Sequence, residues 1–314
     1  MRTGIVGSGM VGSTAAYAML MSGTAGEIIL IDKDRDRAEA EADDLRHATP
    51  FAHPKVIRAG DYEDLKDAGV VILAAGVGQK PGESRLDLLK RNQAVFEGII
   101  PKVIANAREA VLLVATNPVD IITHMTAKIA GRYGFPSTRV IGSGTTLDTA
   151  RFRSLLGTYL DVDARHVHAY VVGEHGDSEV LTWSTVTVAG TPLERYCSLQ
   201  GIIFDEDIRS EIDTGVRNAA YTIIEGKGAT YYGLGAILTR LVDIIAHEHR
   251  SVLTVCTPTG EVEGIADVTI SLPFLIDGTG VARRLPLELS EQEHAALTES
   301  TAVIKEALQS IGYD

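Results

Sequence analysis

Within its first dozen residues the chain passes from an apolar run, Thr3–Val6, into Gly7-Ser8-Gly9-Met10-Val11-Gly12, and from there into an amphipathic stretch, Met10–Met21. A strand that meets three glycines at this spacing and then opens a helix has few folds available to it. Gly7 permits a tight turn, Gly9 lets the backbone approach a pyrophosphate, and Gly12 allows the helix to lie close to the strand. Backbone N–H groups at the helix start, around Met10 and Val11, then face the phosphates. In a chain with 31 glycines this string alone says little. Asp32 gives it weight: it ends a second apolar run, Glu27–Ile31, and stands 20 residues beyond Gly12. A carboxylate there accepts hydrogen bonds from a ribose diol and repels a 2′-phosphate, which favours NAD over NADP, although Lys33 and Arg35 lie close by. The plainer alternative is a loop followed by a helix-capping aspartate.

Further strand-like runs follow at Val70–Ala74, Val111–Ala115 and Arg139–Ile141, with helical patterns at Arg35–His47, Ser84–Asn106 and Val119–Arg132 between them. Alternation of this kind predicts an α/β fold, a doubly wound parallel sheet, over residues 1–144. From about Leu147 the pattern changes. Antiparallel-looking runs at His166–Val172 and Trp183–Val188 precede helices near Asp205–Glu225, Thr230–His247 and from Ser290 onward, so residues 145–314 read as an α+β second lobe. Aromatics are only 5% of the 314 residues, and the core therefore falls to Val, Ile, Leu and Ala.

A net charge of −13 argues against nucleic acid or an anionic membrane as partner. No apolar stretch reaches the roughly 20 residues of a membrane span, and no signal peptide is evident, so a soluble, cytoplasmic protein is expected. Cys197 and Cys256 are far apart, match no metal-binding or redox spacing, and read as two reduced thiols. No metal site is expected.

Ligands of such sheets bind beyond the carboxyl ends of the strands, and four polar elements fall there or follow a strand. Gly173-Glu174-His175-Gly176-Asp177-Ser178 sets a histidine between glycines. Leu147-Asp148-Thr149-Ala150-Arg151 places a carboxylate and a guanidinium on one helical face, either as site residues or as an ordinary i,i+3 ion pair. Gly76-Val77-Gly78-Gln79-Lys80-Pro81-Gly82-Glu83-Ser84-Arg85 has the glycines of a lid, or of a plain solvated loop. Thr116-Asn117-Pro118-Val119-Asp120 ends a strand, where Asn117 serves a ligand or caps the next helix.

Taken in order, the glycine fingerprint with Asp32, GQKPGESR, TNPVD, LDTAR and GEHGDS resemble the L-lactate/malate dehydrogenase family along essentially the whole chain. The resemblance implies a Rossmann domain followed by an α+β catalytic domain, usually in a homotetramer. It implies that His175 is the acid/base acting on the 2-hydroxyl, that Asp148 fixes its tautomer, and that Arg151 grips the substrate carboxylate. Arg85 matches a lid arginine that polarises the ketone, Asn117 a hydrogen-bonding position near substrate and nicotinamide, and Thr230 a wall of the pocket. These cations would gather an anionic substrate inside an acidic protein.

Within this family an arginine at the position of Gln79 pairs with the second carboxylate of oxaloacetate. A neutral Gln79 suits the methyl of pyruvate, so the activity implied is reversible hydride transfer between NADH and pyruvate giving L-lactate, the last step of anaerobic glycolysis. Malate, bulkier 2-keto acids and a catalytically silent scaffold are the alternatives. Arg153 and His168 match positions at which many bacterial members bind fructose 1,6-bisphosphate across a subunit interface. Arg153 lies roughly 200° around the helix from Arg151 and faces away from it. The alternative for both residues is an ordinary structural contact at that interface.

Overall fold

The computed structural model describes residues 1–78, 82 and 84–313, apart from the side chain of Arg85. Gln79 and Lys80, on which the lactate-or-malate reading turns, lie outside the described residues.

Six short strands build the parallel layer: β1 (Arg2–Val6), β2 (Glu27–Ile31), β3 (Val56–Ala59), β4 (Ala68–Leu73), β5 (Val111–Val114) and β6 (Val140–Gly142). Their spatial order is β3-β2-β1-β4-β5-β6, and every adjacent pair is parallel. Ile5, Ile28, Ile29, Leu30, Val70, Val71, Ile72, Leu112 and Leu113 are fully or almost fully inaccessible, because helices cover both faces of the sheet. Those helices are α1 (Met10–Ser22), α2 (Arg35–Ala48), α3 (Arg85–Asn106) and α4 (Val119–Gly131). The sequence pattern anticipates each of them to within a residue or two. It does not anticipate β3, a four-residue strand that carries Arg58.

Beyond β6 come α5 (Thr146–Leu160), β7 (Val167–His168), β8 (Val171–Val172), β9 (Val180–Leu181), β10 (Thr187–Val188), β11 (Thr191–Pro192) and α6 (Leu193–Gln200). They are followed by α7 (Glu206–Lys227), α8 (Tyr232–Ala246), β12 (Ser251–Val262), β13 (Ile265–Asp277), β14 (Gly280–Arg284) and α9 (Glu291–Ser310). The run His166–Val172 is not one strand. It divides into β7, which pairs with β10, and β8, which pairs with β9. Trp183–Val188 likewise begins as a 3-10 turn and only ends as β10.

The larger departure is the long β12–β13 hairpin with β14. It joins the parallel sheet antiparallel at β6, through Cys256 opposite Gly142, so that among the described residues nine strands form one sheet. At this junction Gly144 adopts φ +53°, and a Cβ there would stand 2.6 Å from the Cys256 backbone nitrogen. Only glycine fits so close a backbone approach.

His124, on α4, is 1% exposed, lies against Thr269 Oγ1 at 3.1 Å and meets the Tyr313 ring edge-on. Burial, helped by Lys128 and Lys305 and opposed by Asp267, pushes its pKa down from 6.5 to about 4. The unfolded chain therefore binds this proton first as pH falls below about 6.5, and the native state loses up to about 3 kcal/mol by pH 4. In urea titrations between pH 6.5 and 4, the unfolding midpoint of His124→Gln should fall less steeply than that of the wild-type chain. Parallel curves would show that His124 does not contribute to acid lability.

Candidate active site

The cofactor side forms where β1 ends. Gly7 takes φ +102°, and a side chain there would overlap the Ala74–Ala75 backbone. A Cβ on Gly12 would overlap the Gly7 carbonyl, which is the close helix–strand contact its position predicts. Gly9 differs: a Cβ there would meet nothing within 4 Å, so its backbone opens onto free space at the start of α1, where no side chain caps the helix. This is the cradle a pyrophosphate needs.

A cleft of about 620 Å³ runs from Gly7 and Gly9 past Asp32 to Gly76, Val77, Val95 and Ile99. The Ser8 N–H and hydroxyl donate to one Asp32 oxygen at 2.8 and 3.2 Å, and the Asp34 N–H donates to the other at 3.1 Å. Burial alone would raise the Asp32 pKa, but these donors together with Arg37 hold it below the ordinary carboxylate value. An ionised carboxylate is thus fixed at the cleft wall, as an acceptor for a ribose diol requires. The residues fit NAD.

The histidine side is assembled by α5. Thr146 and Thr149 pin the first turn of this helix to β12, through the Thr254 carbonyl and hydroxyl at 3.2 and 2.9 Å. Thr149 also accepts the Val171 N–H at 2.9 Å, tying α5 to β8. The side chain of Asp148 is thereby held in the interior. One of its oxygens faces His175 Nδ1 at 2.6 Å, and the other accepts Arg151 Nη1 at 2.6 Å. Asp148 and Arg151 are therefore neither remote from His175 nor only a surface ion pair: the buried carboxylate joins two half-buried cations.

The loop carrying His175 is fastened from several sides. Gly173 exchanges backbone hydrogen bonds with Ser271 on β13, and the Glu174 N–H donates to Ser300 of α9. The His175 N–H donates to Asp120 Oδ2 at 2.8 Å. Asp120 is fully enclosed in the first turn of α4, and burial raises its pKa to about 6. The sequence motif contains Asp120 without giving it a task; the available signal was an aspartate set within the apolar run Val119–Ile122.

Burial by itself would lower the His175 pKa. Asp148 outweighs it by charge and hydrogen bond, Asp120 and Glu179 add to that, and the value rises to about 9. An imidazolium at neutral pH, held through Nδ1, can give a proton from its other ring nitrogen to a developing alkoxide. Asp148 itself is held below its ordinary carboxylate value: burial opposes this, but His175 and Arg151 prevail.

Arg151 and Thr230 line a common cavity of about 660 Å³, with Leu147, Ile223 and Tyr231 forming an apolar wall. Asn117 is exposed at the carboxyl end of β5, and Pro118, not Asn117, is the N-cap of α4, with no side-chain cap bond. That removes the capping explanation for Asn117. Arg153 turns away from the His175 side, as expected. Its Nε donates to the Ala169 carbonyl at 2.9 Å, its guanidinium lies over the Tyr170 ring, and it lines a separate cavity of about 250 Å³. His168 is exposed on β7. Arg85 begins α3, but its side chain, like Gln79, falls outside what the structure describes.

A dinucleotide cleft on a 3-2-1-4-5-6 sheet, followed by a His–Asp–Arg unit in an α/β second half, defines an NAD-binding dehydrogenase. Residues 1–142 match the family model described as lactate/malate dehydrogenase, NAD binding domain, and residues 145–312 match that of the lactate/malate dehydrogenase alpha/beta C-terminal domain. The chain belongs to the lactate/malate dehydrogenase family. It is 56% identical to an L-lactate dehydrogenase of Geotalea daltonii over 311 residues, covering 99% of each chain. It is 53% identical to that of Thermus aquaticus over 313 residues, covering 100% of each. Among solved structures, it superposes with a TM-score of 0.94 and 40% identity on the minor L-lactate dehydrogenase of Enterococcus mundtii in a ligand-bound form, covering 100% of this chain and 99% of that one.

Proposed function

We propose that the chain is an NAD-dependent L-lactate dehydrogenase that interconverts pyruvate and L-lactate. The observation that carries this reading is the 2.6 Å contact between His175 Nδ1 and Asp148, with Arg151 on the same carboxylate, in a chain whose β1 and β2 ends form a cleft lined by Gly7, Gly9 and Asp32. Gly7, Gly9, Met10, Val11 and Gly12 would hold the pyrophosphate, Asp32 the ribose, and Asn117 the region between nicotinamide and substrate. When bound, the cofactor supplies or accepts a hydride at the substrate's second carbon.

The rest of the chemistry belongs to the protein. Arg151 presents a planar fork to the substrate carboxylate, with Thr230 closing the pocket beside it. Protonated His175 donates from the ring nitrogen not held by Asp148 to the ketone oxygen as pyruvate is reduced, and takes that proton back from lactate. Asp148 keeps Nδ1 protonated, which fixes the ring orientation and stabilises the charge formed on lactate oxidation. Arg85 is assigned the polarisation of the ketone by its place in the GQKPGESR motif.

Gln79 is assigned the choice of pyruvate over oxaloacetate, since an amide offers no partner for a buried second carboxylate. We also propose a cytoplasmic homotetramer, compatible with two free, buried cysteines, and fructose 1,6-bisphosphate as the ligand of Arg153 and His168. The support for that ligand is the separation of Arg153 from the His175 side and the exposure of His168.

The test is NADH oxidation with pyruvate and oxaloacetate in parallel, with and without the bisphosphate. A large preference for pyruvate in kcat/KM is expected, together with a lower pyruvate KM when the bisphosphate is present. Gln79→Arg should move the preference toward oxaloacetate by at least tenfold. An unchanged ratio would remove Gln79 from the specificity assignment, and preference of the wild-type enzyme for oxaloacetate would overturn the lactate reading.

A further inference from the structure

Four residues beyond His175 stands a carboxylate that the mechanism above does not use. Glu179 is 4% exposed, and its Oε1 has no hydrogen-bond partner among the described residues. The turn that carries it is closed by the Glu179 N–H donating to the Gly176 carbonyl at 3.1 Å. Burying a carboxylate with an unpartnered oxygen is costly, so the site needs a reason for it.

The surroundings supply one. Glu179 interacts by charge with Asp148 and Arg151 of α5, with His175 of its own loop, and with Arg217 of α7. On α7, Asp213, Arg217 and Tyr221 are spaced four apart and share one face. Asp213 holds the Arg217 guanidinium, which donates to the Asp177 carbonyl at 2.9 Å, while the Tyr221 hydroxyl donates to Asp177 Oδ1 at 2.8 Å. Arg217 is thus a fixed cation tied to the same loop, two residues from both His175 and Glu179.

We propose that Glu179 is a positioning residue for proton transfer: a buried carboxylate, within electrostatic reach of both Arg217 and the His175–Asp148 pair, whose negative charge holds the His175 imidazole protonated. The inference rests on the reading of His175 as the acid/base. The charged groups acting on His175 are Asp148 from α5, Asp120 from α4 and Glu179; those acting on Glu179 are Asp148 and Arg151 from α5, His175 of its own loop and Arg217 from α7. Burial and Asp148 raise the Glu179 pKa to about 8, against the pull of Arg217, His175 and Arg151. Once ionised, Glu179 opposes loss of the proton from His175. Without this charge, His175 deprotonates at lower pH.

The measurement is the pH profile of kcat/KM for pyruvate reduction by the NADH-bound enzyme, for the wild type and for Glu179→Gln, Glu179→Asp and His175→Asn. In Glu179→Gln the alkaline limb should move toward acid by about 0.5–1 pH unit, as expected for removing one partly screened charge near the imidazole. Glu179→Asp, which keeps the charge, should restore most of the wild-type limb. If the Gln variant does not fold, as judged by NADH binding, Glu179→Ser carries the same prediction. A limb that stays in place in the neutral variant, while His175→Asn is inactive, overturns the role of Glu179 and leaves the acid/base intact. Turnover at the wild-type rate by His175→Asn would instead overturn the acid/base reading, and the role of Glu179 with it.

Discussion

Replacing His175 with Asn is expected to lower kcat for pyruvate reduction by about 10²–10⁴-fold, the usual contribution of a positioned general acid, while leaving NADH binding nearly unchanged. The split follows from the geometry. His175 stands on a loop fastened to β13, α9 and α4, whereas the cofactor cleft is built from Gly7, Gly9 and Asp32 at the ends of β1 and β2. The Asn amide can still donate to Asp148 but has no acidic proton to give at neutral pH.

The sign of the pH dependence is equally definite. A histidine raised to about 9 is protonated through neutrality, so pyruvate reduction should hold steady below pH 8 and fall as pH passes 9. Lactate oxidation needs the neutral ring and should rise over that same interval. Both limbs should vanish in the Asn variant. NADH titration by fluorescence, with steady-state rates from pH 6 to 10, checks both parts. A persistent limb near pH 9 in the variant would move the acid/base role to another group.

The elements that carry this site differ in how openly the sequence declares them. β1, β2, β4 and β5 are apolar on both faces and are followed within three residues by Gly7, Asp32, Gly76 and Asn117, so strand and ligand-binding end are visible together. β12 and β13 are not visible in this way, although they are the longest strands of the described chain. Their buried positions include Thr254, Thr257, Thr269 and Ser271, whose hydroxyls are satisfied by Thr149, the Val140 carbonyl, His124 and Thr145. Polar residues matched across the fold break the apolar alternation, and no local pattern reports partners more than 100 residues away. The same holds within the site. Motif order singles out His175, Asp148 and Arg151, but that one Asp148 carboxylate serves both cations is a fact of packing. The anchoring of the His175 backbone by Asp120 is another.

Because Arg151 is tied to that carboxylate, replacing it tests two things that the sequence motif leaves joined. Lys keeps the charge and loses the fork. A point charge cannot reproduce two parallel hydrogen bonds to a carboxylate, so Arg151→Lys should cost about 10²–10³-fold in kcat/KM for pyruvate, largely through KM. The alkaline limb near pH 9 should stay in place, because a cation still faces Asp148. Arg151→Met removes the cation as well. Asp148 then presents its full negative charge to His175, stabilises the imidazolium further, and should push the alkaline limb to higher pH even as substrate affinity collapses. Near-wild-type KM in the Lys variant would mean that the substrate carboxylate binds elsewhere. Identical limbs in the Lys and Met variants would mean that the 2.6 Å Arg151–Asp148 contact does not bear on the proton at His175.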